Sequence, residues 1–279
     1  MQNLHNVMRQ LGREALRGVG TRRRFMFGGV ALAAGAVAAR DATAPIRVAA
    51  ASDLKFALPE LLAAFERDTG LRAEASYGSS GNFARQIRQG LPVQLFMSAD
   101  EGWVQQLADA GLTRRRPDGG ADRGVVYAQG HLALYVSRRS TLALDVRLQG
   151  VREGWDSIRK FAIANPELAP YGRAAREALQ QLGLWELAQP KLVLGENIAQ
   201  ATQFVATGAA EAGITSLSLA SAPELAAQGR SLALPGALHA PILQRMVLLR
   251  GATAQAERLY DYLQAPAARA LLRRHGLGG

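Results

Sequence analysis

From Ile46 onward, short apolar runs alternate with segments in which apolar residues recur at helical spacing. Residues 46–51 form the first apolar run, of strand length. The next segment places its apolar residues at the i, i+3, i+4 and i+7 positions of one helix face, and these are Leu58, Leu61, Leu62 and Phe65. The same alternation continues and predicts an α/β protein, with further strands at 71–77, 93–97, 132–136, 161–164, 192–194, 212–215 and 245–249, and helices at 82–89, 101–111, 153–161, 173–182, 198–207, 254–264 and 267–275.

The order of these elements predicts two lobes, each a mostly parallel sheet flanked by helices. Lobe I comprises residues 46–127 plus 245–279, and lobe II comprises residues 128–244. Two extended connections, near 125–128 and 241–244, are expected to join them. Ligands in such folds bind at the carboxyl ends of strands, so the cleft between the lobes is the expected site.

The positive charge of the chain is concentrated at its start. The formal net charge is +10, but residues 1–40 contain seven Arg and one Glu, or +6, which leaves +4 for the remainder. This distribution predicts a leader rather than a nucleic-acid-binding face. A twin-arginine pattern (Thr21-Arg22-Arg23-Arg24-Phe25-Met26) precedes an apolar run to Ala39, and Ala36-Val37-Ala38 has the small residues of a cleavage site.

Residues 1–38 are therefore predicted to be a twin-arginine signal peptide that exports the chain to the periplasm. The alternatives are a basic amphipathic anchor or an uncleaved membrane helix. The apolar run, of about 13 residues, is shorter than the roughly 20 needed to span a bilayer. No transmembrane segment is expected in the mature chain. The chain has no cysteine, which excludes disulfides, thiolate metal sites and cysteine nucleophiles.

Two serine segments dominate the candidate chemistry. Ala49-Ala50-Ala51-Ser52-Asp53-Leu54 and Gly78-Ser79-Ser80-Gly81-Asn82 each end an apolar strand and precede a helix. A helix N-terminus has free N–H donors and a partial positive charge, so it binds anions without Lys or Arg. Two more segments have the same form, Tyr171-Gly172 and Asn197-Ile198. Ordinary N-capping explains one such segment, but four of them favour a cleft for a small oxyanion.

Other chemistry finds less support in the sequence. A serine hydrolase that uses Ser80 would need a base, yet none of the four histidines follows a strand end beside an acidic residue. The Gly-x-Ser-x-Gly spacing of a nucleophile elbow is absent as well. The chain also lacks His-x-x-x-His, calcium-loop and phosphate-loop motifs. No enzyme activity, cofactor or metal-ion ligand set is therefore predicted.

From residue 46 to residue 277 the chain resembles the periplasmic molybdate-binding proteins of ABC importers. The resemblance rests on the two serine segments and on Leu95-Phe96-Met97-Ser98-Ala99-Asp100, Asn165-Pro166-Glu167, Pro170-Tyr171-Gly172, Glu196-Asn197-Ile198 and Tyr260-Asp261-Tyr262-Leu263. It implies a two-lobed periplasmic binding protein of type II. Such a protein is expected to act as a monomer that closes on molybdate or tungstate and delivers it to a membrane permease.

The resemblance also implies a set of site residues. Ser52 and Ser80, with Ser79 adjacent, correspond to hydroxyl donors from lobe I, and Tyr171 and Ile198 to backbone N–H donors from lobe II. Some members add a tyrosine where this chain has Ser216. Either Ser216 reaches the anion through water, or Tyr171 supplies the aromatic hydroxyl.

Competing hypotheses keep the fold and change the ligand or the activity. The same cleft could hold sulfate, phosphate or an organic acid. A phosphate site would require a hydrogen-bond acceptor for the phosphate proton, and Asp53, next to Ser52, is the candidate. A Ser80 hydrolase and a sensory effector domain are the remaining alternatives. If the ligand is molybdate, selection against sulfate is expected to depend on cavity size, because the two anions share shape and charge.

Overall fold

The computed structural model describes residues 44–278. The predicted signal peptide and its cleavage site lie outside these residues. Within them, the strands form two five-stranded sheets and the helices pack on the sheet faces. The two predicted lobes correspond to these two sheets, so the predicted α/β, two-lobed fold is confirmed.

The first sheet has the strand order β2-β1-β3-β10-β4. Its inner strand β1 pairs in parallel with β2 and β3, whereas β10 runs antiparallel to β3 and β4. The strands are β1 (Ile46–Ala51), β2 (Ala73–Gly78), β3 (Leu95–Ser98), β4 (Val125–Gly130) and β10 (Ile242–Leu248).

The second sheet repeats this arrangement with the order β7-β6-β8-β5-β9. Here β6 pairs in parallel with β7 and β8, and β5 runs antiparallel to β8 and β9. Its strands are β5 (Leu132–Ser137), β6 (Phe161–Ala164), β7 (Leu192–Gly195), β8 (Ala212–Ser216) and β9 (Gly229–Ala233). In each sheet four of the five strands run in the same direction, and one inner strand, β10 or β5, runs against them.

The helices follow most of the predicted amphipathic segments. They are α1 (Ala57–Thr69), α2 (Ser80–Arg88), α3 (Glu101–Asp109), α4 (Gln149–Glu153), α5 (Pro170–Gln181), α6 (Trp185–Ala188), α7 (Ile198–Ala206), α8 (Leu217–Ala220), α9 (Pro223–Ala226), α10 (Ala254–Gln264) and α11 (Pro266–Arg274). Short 3-10 turns cover Ser52–Leu54, Trp155–Ser157, Gln189–Lys191 and Gly236–Leu238.

The helix predicted for residues 153–161 is wrong. The chain instead ends α4 at Glu153 with Gly154 as its C-cap, makes the Trp155–Ser157 turn and enters β6 at Phe161. Phe161 is fully buried in the core of the second lobe, so tertiary packing outweighs the weak helical pattern there. The pattern also missed β9, whose short exposed sequence carries little periodic signal.

Side chains of β1 and β3 alternate between two buried faces of the first sheet. Val48 and Leu95 face α1, α10 and α11, while Ala49 and Phe96 face α2 and α3. A strand covered on both faces is largely apolar, which explains the run at 46–51, where the exposed Arg47 is the one charged residue.

The chain passes between the sheets at two places. β4 ends at Gly130 and β5 begins at Leu132, so His131 alone separates the two sheets on the outward passage. The return runs from β9 through the Gly236–Leu238 turn into β10. The predicted lobe boundaries, after 127 and after 244, fall within β4 and β10 and stay predictions. None of the helices between residues 44 and 278 is long and apolar enough to cross a membrane.

Candidate functional site

A small cavity lies where the carboxyl ends of β1, β2 and β3 meet the first turns of α5 and α7. Its lining residues surround about 180 Å³ of atom-free space, part of which is open to solvent. Four of the six predicted site residues contribute side chains or first-turn backbone from buried positions, and a fifth, Ser79, lies beside them. The lining consists of Ala51, Ser52, Asp53, Gly78, Ser79, Ser80, Ala99, Ala169, Pro170, Tyr171 and Ile198.

The hydroxyls of Ser52 and Ser80 are oriented by backbone donors. Ser52 Oγ accepts the N–H of Ala199 from α7 at 3.2 Å, which is a contact between the lobes. Ser80 Oγ accepts the N–H of Ala99 at 3.0 Å. A serine hydroxyl has one proton to donate. Because each oxygen already accepts a backbone N–H, each hydroxyl proton is available to a group in the cavity.

Ser79 has a different role from Ser80. Its hydroxyl caps α2 by accepting the N–H of Asn82 at 3.3 Å. This cap holds the first turn of α2, and therefore Ser80, at the cavity. Both hydroxyl oxygens therefore accept one backbone N–H, and the serines differ in where that donor lies: Ser79 caps its own helix, whereas Ser80 bonds to Ala99 in the segment after β3.

Tyr171 and Ile198 bring the second lobe to the cavity. Pro170 occupies the first position of α5 and Tyr171 the second, while Ile198 opens α7 after the Asn197 cap. N–H groups in the first turn of a helix have no acceptor within the helix. Both residues line the same cavity as Ser52 and Ser80, and their N–H groups have no acceptor within the helix.

Ser216 is the one predicted site residue that the structure does not bring to the cavity. It is fully buried at the start of α8, where its hydroxyl accepts the N–H of Leu219 and contacts Ser218 Oγ at 3.1 Å. The alternative was that Tyr171 supplies the aromatic hydroxyl. In this structure that hydroxyl donates its proton to Asp53 at 2.9 Å. Ser216 acts here as a helix cap.

Asp53 is the centre of a buried hydrogen-bond network at the hinge between the lobes. Its Oδ2 accepts the hydroxyl of Tyr171 and, at 2.5 Å, the amide of Gln244 from β10. The same amide lies 2.9 Å from the Tyr171 hydroxyl, and Tyr127 of β4 donates to Gln244 Oε1 at 2.7 Å. The network therefore links lobe I to α5 of lobe II. It also includes β4 and β10, the two strands of the first sheet next to the chain passages between the lobes. Asp53 Oδ1 is buried and has no hydrogen-bond partner among the described residues.

Burial makes the Asp53 carboxyl hard to ionise. Loss of solvent raises its pKa from 3.8 to about 6, although the hydrogen bonds from Gln244 and Tyr171 act in the opposite direction. No Arg or Lys lines the cavity within the described part of the chain. The site is thus free of cations and includes one carboxyl that titrates near neutral pH.

Gly81 lets the two lobes approach closely. Its N–H donates to the carbonyl of Leu168 at 3.0 Å. A Cβ at this position would lie 2.8 Å from that carbonyl oxygen and 2.9 Å from the indole of Trp103, closer than such atoms pack. Arg173 with Asp100, and Asn82 with Glu196 at 2.6 Å, connect the lobes further out.

The geometry does not support hydrolysis at Ser80. The recorded partners of the three histidines in the described chain are Gly278, Ala240 and Glu60, so none of these rings bonds to Ser80. Within residues 44–278, no group of three or more His, Asp or Glu residues could hold a metal ion. The hinge network itself was missed by sequence reasoning. Gln244, a polar residue in the apolar strand β10, was the one signal available.

A two-lobed protein with a cation-free cleft between the lobes has the architecture of a solute-binding protein. The family model described as "Bacterial extracellular solute-binding protein" matches residues 46–278. The chain therefore belongs to the bacterial extracellular solute-binding protein family.

Two relatives are both named molybdate-binding protein ModA. The protein of Azotobacter vinelandii is 36% identical over 251 residues, which cover 89% of this chain and 96% of that protein. The protein of Escherichia coli is 30% identical, over 83% of this chain and 88% of that protein.

Solved structures show the same fold. The periplasmic molybdate-binding protein of Azotobacter vinelandii matches with a TM-score of 0.73 and 30% identity, over 83% of this chain and 98% of that one. The sulfate-binding protein SubI of Mycobacterium tuberculosis matches at 0.66 with 15% identity, over 84% of this chain and 86% of that one, and shows the fold alone.

The buried Asp53 carboxyl predicts a pH-dependent stability. As the pH rises from about 4 through 6, the unfolded chain loses this proton first, so the free energy of unfolding falls. Asp53→Asn cannot ionise and keeps an oxygen for Tyr171 and Gln244. We expect the variant to gain about 3 kcal/mol relative to wild type between about pH 4 and pH 7.5, measured by urea unfolding.

The matched control for this prediction is Asp156→Asn, which changes an exposed aspartate. Its stability difference from wild type should not vary with pH. A constant difference between Asp53→Asn and wild type across the same range would contradict the assignment.

Proposed function

We propose that this protein captures molybdate, or the equivalent tungstate, in the cavity between its lobes and delivers it to the permease of an ABC importer. The observation that carries the proposal is the pair of oriented hydroxyls. Ser52 and Ser80 each accept a backbone N–H and so have a proton to donate, and they line the same cavity as Tyr171 and Ile198 in the first turns of α5 and α7. The names of the ModA relatives support molybdate as the ligand.

A neutral cage suits this ligand. A buried dianion is costly unless its oxygen atoms are fully hydrogen-bonded, and hydrogen bonds to an ionised acceptor are among the strongest in proteins. The cavity has hydroxyl and backbone donors from both lobes and no cation in its described lining. The donors bind the oxygen atoms of the anion, and no side chain is assigned as a ligand of the metal atom.

The rest of the proposal follows from the leader and the family. The mature chain acts in the periplasm as a monomer after export by the twin-arginine route, with lobe I at 46–127 and 245–279 and lobe II at 128–244. It is a carrier and not an enzyme, and it uses no cofactor. Selection between molybdate and sulfate depends on the size of the cavity.

The first prediction is a thermal-shift comparison on the mature chain. A ligand that binds the folded state at about a hundredfold excess over its Kd raises the melting temperature by roughly 5–10 °C for a protein of this size. We expect this shift with molybdate and tungstate and a much smaller one with sulfate. Equal shifts with sulfate would refute size selection, and a shift with phosphate alone would favour Asp53 as a proton acceptor. No shift with either metal oxyanion would refute the proposal.

The second prediction distinguishes hydrogen-bond donation by the serine hydroxyls from nucleophilic catalysis by Ser80. Ser52→Ala and Ser80→Ala each remove one donor to a charged ligand, so each should weaken molybdate binding about tenfold to a hundredfold. Isothermal titration measures the loss, and Ser231→Ala, which changes an exposed serine of β9, is the control. Unchanged affinity in both variants would contradict the assigned donors. Esterase turnover that disappears in Ser80→Ala would instead support a hydrolase.

The third prediction concerns closure. Gly81→Ala places a methyl group against Leu168 and Trp103, so the lobes cannot reach the closed distance. Molybdate affinity should fall by about tenfold or more, with an unchanged circular dichroism spectrum. Gly236→Ala is the control because a Cβ there meets nothing within 4 Å. Full affinity in Gly81→Ala would show that this contact does not limit closure.

A further inference from the structure

We propose that the Asp53 carboxyl takes up one proton from solvent when the cleft closes on a dianionic tetrahedral oxyanion, so that anion capture is coupled to proton uptake. The inference rests on the proposed function, since it requires a dianion in the cavity. It assigns to Asp53 a role apart from the direct donors.

The position of Asp53 is the first observation. The residue is 1% exposed and belongs to the cavity lining, next to Ser52 in the turn after β1. A carboxylate and a dianion held in the same dry cavity repel each other strongly, because little water remains to screen them. Protonation of the carboxyl removes that repulsion.

The hydrogen-bond pattern of the carboxyl is the second observation. Both donors, Tyr171 and Gln244, bond to Oδ2, while buried Oδ1 has no partner in the described chain. This asymmetry fits a carboxylic acid whose Oδ2 is the carbonyl oxygen and whose Oδ1 holds the proton. Protonation at Oδ1 therefore leaves both hydrogen bonds to Oδ2 in place.

The surroundings supply no cation to stabilise a carboxylate. Helices α7 and α8, which pack against the Ser52–Leu54 turn, contain no ionisable side chain. Tyr171 and Tyr127 face the network and keep their protons, because burial and the Asp53 charge raise the pKa of each well above its usual value. Tyr77 of β2 is half-buried and keeps its proton, because burial raises its pKa to about 12. Other ionisable groups on the adjoining elements are exposed or have other partners, namely Arg47, Lys55, Glu74, Arg173 with Asp100, Arg176 with Glu167, Glu177 with Ala240, and Arg245 with Glu101.

The sign of the linkage follows from these observations. Burial already raises the pKa of Asp53 to about 6 in the ligand-free protein, and a neighbouring dianion raises it further. Below about pH 6 the carboxyl is protonated before the anion arrives, so affinity should not depend on pH through this group. Above that pH, binding takes up a proton, and affinity should fall by up to about tenfold per pH unit.

Isothermal titration with molybdate in buffers of different ionisation enthalpy tests the proposal. The slope of the observed enthalpy against the buffer enthalpy gives the number of protons taken up. We expect about one proton for wild type at about pH 7.5, and about none at about pH 5. Asp53→Asn should take up about no protons at either pH. Any protonation of the anion itself is the same for wild type and the variant, so it cancels in the difference between them.

Control variants distinguish Asp53 from the other groups that titrate in this range. Histidines also change charge near neutral pH, so His131→Gln and His239→Gln are included and should keep the full proton uptake. If Asp53→Asn does not fold, Tyr171→Phe serves in its place. Loss of the Tyr171 hydroxyl makes Asp53 easier to protonate, so the pH at which uptake begins should rise.

Two negative results have different meanings. Molybdate binding by wild type without proton uptake at about pH 7.5 would overturn the coupling and leave the proposed function standing. Uptake that survives in Asp53→Asn, or disappears in a histidine variant, would overturn the assignment to Asp53. Absence of binding heat with both molybdate and tungstate would refute the proposed function, and the coupling with it.

Discussion

The cost of removing a small, highly charged anion from water is the constraint on which the rest of the structure depends. An unpaired charge in a protein interior is too costly to persist, so a cleft that excludes water must replace every lost hydrogen bond. This chain has no cation in the described lining of the cavity, so under the proposed function it relies on hydroxyl and backbone donors. The two oriented serines and the two helix first turns are the elements that meet the requirement.

That requirement also explains why the fold has two lobes. The donors come from the ends of β1 and β2 in one sheet and from α5 and α7 beside the other, so a full set exists only when the lobes are close. The Ser52 hydroxyl takes its orientation from α7 across the cleft. Gly81 allows the backbone of the second lobe to reach α2. The proposed capture site is therefore a property of the closed protein, and the hydrogen-bond network around Asp53 is part of the same unit.

The sequence predicts the local features of this site and misses the distant ones. The serine segments are recognisable because a small hydroxyl residue between a strand and a helix is a local signal. The family resemblance added the positions of Tyr171 and Ile198. The role of Asp53 depends on Tyr171 and Gln244, which lie 118 and 191 residues further along the chain. No periodicity connects such residues. The antiparallel return of β10 to β3 and β4 is likewise a long-range pairing, which local patterns along the chain do not predict.

A crystal structure of the mature protein grown with molybdate, with the metal located by its anomalous scattering, tests the central claim most directly. The account predicts one anion between Ser52, Ser80, Tyr171 and Ile198, with hydroxyl and backbone N–H groups as its donors and Asp53 still bonded to Tyr171 and Gln244. An anion found at an arginine or lysine, or a cavity left empty at saturating molybdate, would contradict it.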